Sequence, residues 1–277
     1  MIETTFESTY TLDNTHPNYD RWQRAIDHAR LRGDAVCGAL SEFMTIDGAV
    51  VLDAGCGVGG TSAALYARGA DVIAVDCDPD RIAALNESLP DIETDLTALD
   101  ELPYPDASFD AIVLQDVLEH VVDPSRVLEE ITRVLTPEGL LYLSTPNRKA
   151  LSNIVSDPHF GLPFASLKTR EKLRPLLRKK RPADADREDL AQLFSFPELT
   201  GLLKHSGLHA SFINRQMAQM LFVRPEALVW STGHLRMVSL LKSSGLKNFV
   251  LRLVSDEPGL FNTWFNPTWY LICRKDN

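Results

Sequence analysis

Three glycines alternate with other residues directly after an apolar run that ends in an acid. Residues 50–61 read Val-Val-Leu-Asp-Ala-Gly-Cys-Gly-Val-Gly-Gly-Thr. This order predicts a buried strand, a tight turn and a helix start. Glycines allow positive φ angles and let a ligand approach the N–H groups at the start of a helix. The segment is therefore typical of a pocket for a nucleotide-like ligand.

The glycines alone fit two classes of ligand. Gly55, Gly57 and Gly60 satisfy the dinucleotide pattern G-x-G-x-x-G, which is weak evidence by itself. The preceding Asp53 favours a ligand with ammonium and sulfonium groups, because a carboxylate is unfavourable beside a pyrophosphate. The order Asp53-x-Gly55-x-Gly57-x-Gly59 resembles the first motif of class I S-adenosylmethionine-dependent methyltransferases. In that family the loop wraps the amino-acid end of the cofactor.

The resemblance implies further cofactor contacts at the ends of the next strands. Asp76 ends the second predicted strand, about 20 residues after Asp53, where a carboxylate accepts hydrogen bonds from ribose hydroxyls. Near the third strand, Asp95, Leu96 and Thr97 are alternatives for contact with the adenine amino group. S-adenosylhomocysteine is the implied product. The predicted cofactor-binding residues are Asp53, Gly55, Cys56, Gly57, Gly59, Asp76, Cys77, Asp95, Leu96, Gln115 and Tyr19.

A second polar cluster follows the fourth predicted strand. If this segment opens a helix, the spacing of Asp116, Glu119 and His120 puts all three side chains on one face. Together with water they could hold Mg²⁺ and lower the pKa of a bound hydroxyl. The segment resembles the acid-x-x-Glu-His metal ligands of ubiquinone-pathway O-methyltransferases and small-RNA 2′-O-methyltransferases. Those families have Glu where this chain has Asp116.

The same cluster has two interpretations without a metal. Asp-x-x-Glu at a strand-to-helix junction is also a capping box. His120 could instead act as a base, since an ordinary imidazole pKa of about 6.5 suits proton transfer. Methyl transfer from a sulfonium needs mainly alignment, and a hydroxyl acceptor also needs a proton acceptor. The predicted catalytic residues are His120, Asp116 and Asn147, with His159 as a second candidate base.

Alternating strand and helix patterns place these residues at one edge of a sheet, where open α/β sheets bind ligands. The resemblance implies an α/β, Rossmann-like fold: a seven-stranded, mostly parallel sheet with the last strand antiparallel, helices on both faces, and helical cap insertions. A helical pattern from Tyr19 to Phe43 is predicted to break near Gly33. The expected regions are an N-terminal helical lid (1–47), a cofactor-binding core (48–148), a basic insertion (149–194) and the end of the sheet (195–277).

Two later segments match no motif. Residues 168–181 are strongly basic, which predicts a solvated helix face or a site for an anionic substrate, phospholipid head group or RNA. An insertion at about 215–265 is apolar with interspersed basic residues. It predicts, in order of preference, a helical cap over the substrate, a homodimer face or an amphipathic membrane-surface element. The cap interpretation favours a hydrophobic, lipid-linked or polycyclic small-molecule acceptor.

Composition narrows the function further. The chain is 44% hydrophobic and 24% charged, as is ordinary for a globular protein, and its net charge of −10 disfavours broad nucleic-acid binding. The four cysteines form no C-x-x-C pair, and no targeting or membrane-spanning run is evident, so we expect a cytoplasmic protein. The favoured function is O-methylation of a sugar, catechol or lipid-linked compound. An RNA, N- or C-methyltransferase, a catalytically silent cofactor-binding module and an NAD-binding oxidoreductase remain alternatives.

Overall fold

Seven strands form one mixed sheet. The computed structural model describes residues 6–229, 232–257 and 259–276, and the side chains of residues 232–234 are outside the description. The strands are β1 (Val50–Ala54), β2 (Asp71–Asp76), β3 (Glu93–Leu96), β4 (Phe109–Gln115), β5 (Leu135–Pro146), β6 (Leu208–Phe212) and β7 (Thr268–Lys275). Their order is β3-β2-β1-β4-β5-β7-β6, and β7 runs antiparallel to both neighbours while the other pairs are parallel. The predicted fold class is confirmed.

The described helices lie on both sides of this sheet and in the insertions. They are α1 (Tyr19–Asp27), α2 (Ala29–Leu40), α3 (Gly60–Tyr66), α4 (Pro79–Ser88), α5 (Pro124–Val134), α6 (Leu151–Val155), α7 (Arg170–Lys180), α8 (Phe196–His205), α9 (Asn214–Val223), α10 (Thr232–Ser243), α11 (Lys247–Leu253) and α12 (Leu260–Phe265). No helix in the described part of the chain has both the length and the apolar character needed to cross a bilayer.

The core has two main layers, one on each face of the sheet. Val51 of β1 belongs to a buried cluster with residues of α2 and α3, whereas its neighbour Leu52 belongs to a cluster with residues of α5 and α8. Successive strand residues point to opposite faces, so an apolar strand without alternation is expected where helices cover both faces. This double burial fixes the strand ends that carry the site.

The break in the N-terminal helical region is not where the sequence predicted it. α1 ends at Asp27 and α2 begins at Ala29, so the break is at His28, and Gly33 lies inside α2. A Cβ at Gly33 would lie only 2.5 Å from the carbonyl oxygen of Gly60. The glycine therefore permits the close approach of α2 to the start of α3.

The predicted helix start at Asp116 is also wrong. Asp116 has a φ of 55°, in the left-handed region, and α5 begins only at Pro124. The side chain of Asp123 accepts hydrogen bonds from the N–H groups of Ser125 and Arg126, so Asp123 is the N-cap and proline occupies the first turn. Residues 116–123 are thus a loop, and neither the shared helix face nor the capping box forms.

The two insertions differ in how they are packed. Residues 160–190 have a small core of their own that includes Leu173 and Leu177, the apolar residues of the basic helix α7. The segment between β6 and β7 contains α9 to α12. Buried residues are fewer there, since α11 buries none of its side chains and α12 buries only Asn262.

Candidate active site

The glycine loop after β1 presents backbone toward an open space. Gly55, Gly57 and Gly59 all have positive φ angles, and α3 starts at Gly60. A Cβ at Gly57 would meet no atom within 4 Å, although its φ of 55° strains any other residue. The loop therefore combines a conformation suited to glycine with room for a ligand beside the backbone.

Asp76 is held rigidly at the end of β2. One carboxylate oxygen accepts the N–H of Gly57 at 2.9 Å, and the other accepts the N–H of Asp78 at 3.0 Å. The side chain is buried, with the guanidinium of Arg81 at 3.6 Å. A carboxylate has about four acceptor positions, so two oxygens used once each can still accept two ribose hydroxyls.

Asp53 is a buried acid near the end of β1, directly before the glycine loop. Its carboxylate accepts a hydrogen bond from the hydroxyl of Ser62 at 2.6 Å, and only 2% of the residue is exposed. Burial raises the pKa of Asp53 to about 6, against the lowering effect of the Ser62 hydrogen bond. An ammonium group nearby would favour the ionised form.

A cluster of two imidazoles and one carboxyl lies beyond the loop. Glu119, His120 and His159 place one donor atom each within 4.8 Å of one another. The two imidazole rings are packed edge to face with centroids 4.8 Å apart. Asp116 is not part of this cluster, because its carboxylate accepts from Arg32 at 2.7 Å and from the hydroxyl of Ser144 at 2.9 Å.

One large cavity connects the loop, the imidazole pair and the late insertion. Its volume is about 2010 Å³, roughly twice the upper end of the 300–1,000 Å³ that a drug-sized ligand fills. Asp53, Gly57 and Asp76 line one end, and His120 and His159 also line it. The other end is lined by apolar side chains of α9 to α12, among them Met217, Leu221, Leu241, Phe249, Phe261 and Trp264.

Comparisons with known proteins agree with this geometry. A family profile described as "Methyltransferase domain" matches residues 52–143. These residues contain the glycine loop, Asp76 and the loop after β4. Over these residues the chain is similar to methyltransferase domains.

Relatives share mainly this core. A probable S-adenosylmethionine-dependent methyltransferase of Mycobacterium tuberculosis is 40% identical over 121 residues, which are 44% of this chain and 42% of that protein. A ubiquinone biosynthesis O-methyltransferase of Xylella fastidiosa is 39% identical over 114 residues, 39% of this chain and 46% of that protein. The chain thus spans less than half the length of either relative.

The likeness of fold extends further than the likeness of sequence. An S-adenosylmethionine-dependent methyltransferase of Mesorhizobium loti has a TM-score of 0.56 at 17% identity, covering 88% of this chain and all of that one. At such low identity the likeness supports the methyltransferase fold, and function must be argued from the site.

Most of the predicted cofactor residues of the methyltransferase domain line the cavity. They are Asp53, Gly55, Cys56, Gly57, Asp76, Cys77 and Gln115. The amide oxygen of Gln115 accepts from the hydroxyl of Thr61 at 2.9 Å. Gly59 is needed for the packing of the turn and not for ligand contact, because a Cβ there would lie 2.9 Å from the side chain of Leu85.

Three more of the predicted cofactor residues lie outside the cavity lining. β3 includes both Asp95 and Leu96, and neither lines the cavity: Asp95 accepts a hydrogen bond from the hydroxyl of Tyr104, and Leu96 is 57% exposed. The lining begins one residue later, over residues 97–100. In α1 the lining residues are Arg21, Trp22, Ala25 and Ile26, and Tyr19 is outside the lining. Trp22 also stacks on His16.

Asn147 anchors structure and is not among the residues that line the cavity. Its amide NH₂ group donates to three backbone carbonyls of the α12 region, those of Asn262, Thr263 and Asn266, and its oxygen accepts the N–H of Lys149. The residue is fully buried. The catalytic prediction for Asn147 is therefore wrong, because its polar atoms are used in holding α12 against the end of β5.

His120 presents one nitrogen free to accept a proton. Its Nδ1 lies 2.8 Å from the carbonyl oxygen of Asp189, which can only accept, so Nδ1 carries the hydrogen and Nε2 has the lone pair. Burial lowers the pKa of His120. Burial also holds the pKa of His159 well below its ordinary value, and repulsion from a protonated His120 would lower it further. Both imidazoles are therefore neutral at neutral pH.

Glu119 lies beneath the imidazoles. Its Oε2 accepts from the hydroxyl of Thr145 at 2.9 Å, and its Oε1 has no hydrogen-bond partner among the described residues. Burial and the nearby charge of Asp116 raise the pKa of Glu119 to about 8, which favours the protonated form at neutral pH. Glu119 therefore adds little negative charge to the cluster.

The predicted Mg²⁺ set of Asp116, Glu119 and His120 is not assembled. His159 takes the place of Asp116, so the donors are two imidazole nitrogens and one carboxyl oxygen. Mg²⁺ prefers oxygen ligands, and imidazole suits zinc, iron or nickel better. The residues do not fit Mg²⁺.

Two arginines position the loops that carry these histidines. The guanidinium of Arg170 in α7 donates to the carbonyls of Glu119 and Val121 in the loop before α5. Arg21 in α1 donates to the carbonyls of Asp157 and Pro158, next to His159. A run of basic residues in a sequence does not show which of them turns toward the protein. The prediction of a solvated face for α7 therefore missed the hydrogen bonds that Arg170 donates.

Proposed function

We propose that this chain transfers the methyl group of S-adenosylmethionine to a hydroxyl of a large, apolar small molecule. One observation carries the proposal: a single cavity contains the glycine loop with its two acids, a pair of neutral imidazoles and a wall of apolar side chains. Each part matches one need of the reaction, namely binding of a cationic nucleoside, acceptance of a proton and binding of an apolar acceptor.

The glycine loop and its acids would hold the cofactor. Asp53 suits the ammonium group, and Asp76 suits the two ribose hydroxyls. Residues 97–100 supply the adjoining wall. The bound cofactor supplies an activated methyl group, so the protein needs mainly to align the acceptor and to exclude water.

His120 would accept the hydroxyl proton of the acceptor. Its hydrogen bond to the carbonyl of Asp189 fixes the ring with Nε2 unprotonated, and its lowered pKa keeps it neutral. A neutral imidazole can take the proton as the oxygen–carbon bond forms. Arg170 acts as a positioning residue, since it holds the backbone on either side of His120.

The apolar wall favours a hydrophobic or lipid-linked acceptor over a sugar or an RNA. The lining side chains Leu221, Leu241 and Phe249 come from three different cap helices and enclose space beyond what the cofactor needs. The net charge of −10 opposes binding of a polyanion. N-methyl or C-methyl transfer would use the same cavity with a different acceptor atom.

The test is a methyl-transfer assay on catechols, sugars and lipid-linked saccharides with wild type and His120→Ala. We expect transfer to an apolar hydroxyl acceptor and a loss of about 100-fold or more in kcat for His120→Ala, since general bases contribute that much. Affinity for S-adenosylhomocysteine, measured in parallel, should change little. Equal kcat for both proteins would contradict the role of His120.

Two further arms of the assay separate the alternatives. Activity should persist in EDTA, because His120 is proposed to act as a base without a metal; loss of activity and its recovery with added metal would require a metal-dependent mechanism. Titration with NADH against S-adenosylhomocysteine tests an oxidoreductase. We expect binding of S-adenosylhomocysteine alone.

A further inference from the structure

The late insertion exposes apolar side chains that a soluble protein normally buries. Helix α11, with the sequence Lys-Asn-Phe-Val-Leu-Arg-Leu, has no buried residue. Helix α12 buries its polar Asn262 and leaves Leu260 81% and Phe265 59% exposed. We define the cap face as six of the exposed apolar residues between the start of α10 and the end of α12: Leu240, Leu246, Phe249, Leu260, Trp264 and Phe265.

The inverted burial of α12 is enforced by hydrogen bonds. The amide of Asn262 donates to the carbonyls of Ser255 and Glu257, while Asn147 donates to the carbonyls of Asn262 and Thr263. These bonds hold the polar side chain of Asn262 inward, while the apolar side chains of the same helix lie at the cavity rim and at the surface. A local rearrangement that buried the apolar side would leave these buried amides unpaired.

The charge of this segment is opposite to that of the whole chain. Residues 227–255 contain four cations, Arg236, Lys242, Lys247 and Arg252, and no acid, within a chain of net charge −10. Arg236, Lys242 and Arg252 are exposed. Helices that lie on an anionic membrane combine basic residues with exposed leucine, phenylalanine and tryptophan.

The cap face is continuous with the rim of the cavity. Phe249, Trp264 and Phe265 are exposed and also line the cavity. An apolar ligand could therefore pass from this face into the cavity without crossing water. The positive charge of this segment and its position at the cavity rim both favour an anionic lipid surface as the partner of the cap face.

We propose that the cap face docks on an anionic phospholipid surface, with α10 to α12 lying in the plane of the head groups. The described helices are too short for a membrane span, so the contact is peripheral. Docking adds to the proposed methyl transfer a route by which a lipid-linked acceptor reaches the cavity. Docking is tested without an acceptor and without methyl transfer, so its failure can be distinguished from failure of the proposed function.

The test is co-sedimentation of the full chain with vesicles of phosphatidylcholine alone or mixed with phosphatidylglycerol. We expect binding to the mixed vesicles, weaker binding to phosphatidylcholine alone, and loss of binding at high salt. Lys242→Ser/Lys247→Ser should weaken binding about 25-fold, since each cation near such a surface contributes about fivefold. Leu240→Ser/Leu260→Ser should weaken it about tenfold or more.

Controls separate docking from folding and from self-association. Leu240 and Leu260 are not cavity-lining residues, so both variants should bind S-adenosylhomocysteine as wild type does. Phe43→Ser removes a 37% exposed aromatic outside the cap and should sediment like wild type. Absence of vesicle binding, or equal binding by all variants, would overturn the proposal. So would a wild-type dimer that Leu240→Ser/Leu260→Ser dissociates, because a second copy would then be the occupant.

Discussion

The two ends of the cavity are stabilised in different ways. At the cofactor end, Asp53 and Asp76 are buried at strand ends and each accepts short hydrogen bonds from the loop or helix that follows. At the acceptor end, α11 and α12 bury almost nothing and the lining is apolar. Directional contacts fix one ligand closely, whereas apolar contacts are tolerant of shape. Under the proposed function, this difference predicts one closely held cofactor and a broad class of apolar acceptors.

The largest effect is expected at the cofactor end. Asp76→Ala removes the acceptor for two ribose hydroxyls and leaves the N–H of Gly57 without its present partner. Each of the two proposed ribose hydrogen bonds to this charged group contributes about 1.5–3 kcal/mol, so affinity for S-adenosylhomocysteine should fall by at least about 100-fold. Calorimetric titration measures this. Asp71→Ala, at the exposed opposite end of the same strand, is the matched control and should bind as wild type.

A smaller effect is expected at the centre of the cavity, where loss of a positioning residue should lower kcat without changing cofactor affinity. Arg170→Ala removes donors to the carbonyls of Glu119 and Val121, so the loop with His120 loses its tether. We expect kcat to fall about 10- to 100-fold while affinity for S-adenosylhomocysteine is unchanged, as displacement by about 1 Å has that cost. Arg178→Ala, an exposed change in the same helix, should leave kcat intact. A parallel loss of cofactor affinity would show that the tether supports both ends.

The pH dependence of cofactor affinity sharpens the comparison further. The pKa of Asp53 is raised to about 6 by burial, and only the ionised carboxylate attracts an ammonium group. Affinity for S-adenosylhomocysteine should be constant well above pH 6 and fall as pH decreases below it, by about tenfold per unit. Titrations across this range measure it. Asp53→Asn should bind weakly with no such slope, and a slope kept in that variant would assign the effect to another group.

The smallest effects are expected in stability at the acceptor end. Leu260→Ser alters a side chain that is 81% exposed, so the free energy of unfolding should change by less than about 0.5 kcal/mol. Leu114→Ala, a change at a fully buried residue of β4, should cost about 2–5 kcal/mol. Denaturant unfolding of both variants is the measurement. A cost above 2 kcal/mol for Leu260→Ser would mean that α12 buries more than the structure shows.

The cofactor end could be predicted from sequence because its contacts are local. Asp53, Gly57 and Asp76 follow directly from strand ends, and double burial of the strands fixes where those ends lie. Near the short strand β3 the sequence left Asp95, Leu96 and Thr97 as alternatives, and of these three Thr97 lines the cavity. The order of the sheet followed in the same way from alternating strands and helices.

The pair of histidines could not be predicted in this way. His120 and His159 meet only through loops whose conformations depend on Asp116 with a positive φ and on carbonyls bound by Arg170 and Arg21. No spacing in the sequence encodes such contacts. Asn147 shows the same limit, since its position after β5 indicated a ligand contact and its hydrogen bonds proved to hold α12.

The most direct test of the account compares two hydroxyl acceptors that differ only in an attached long apolar chain. Methyl transfer from S-adenosylmethionine is measured for each with the wild-type protein. If one cavity joins the cofactor loop to an apolar acceptor wall, kcat/KM should be at least about tenfold higher for the acceptor with the chain, since burial of only two methylene groups already contributes that much. Equal kcat/KM for the two acceptors, or transfer to neither, would contradict the account.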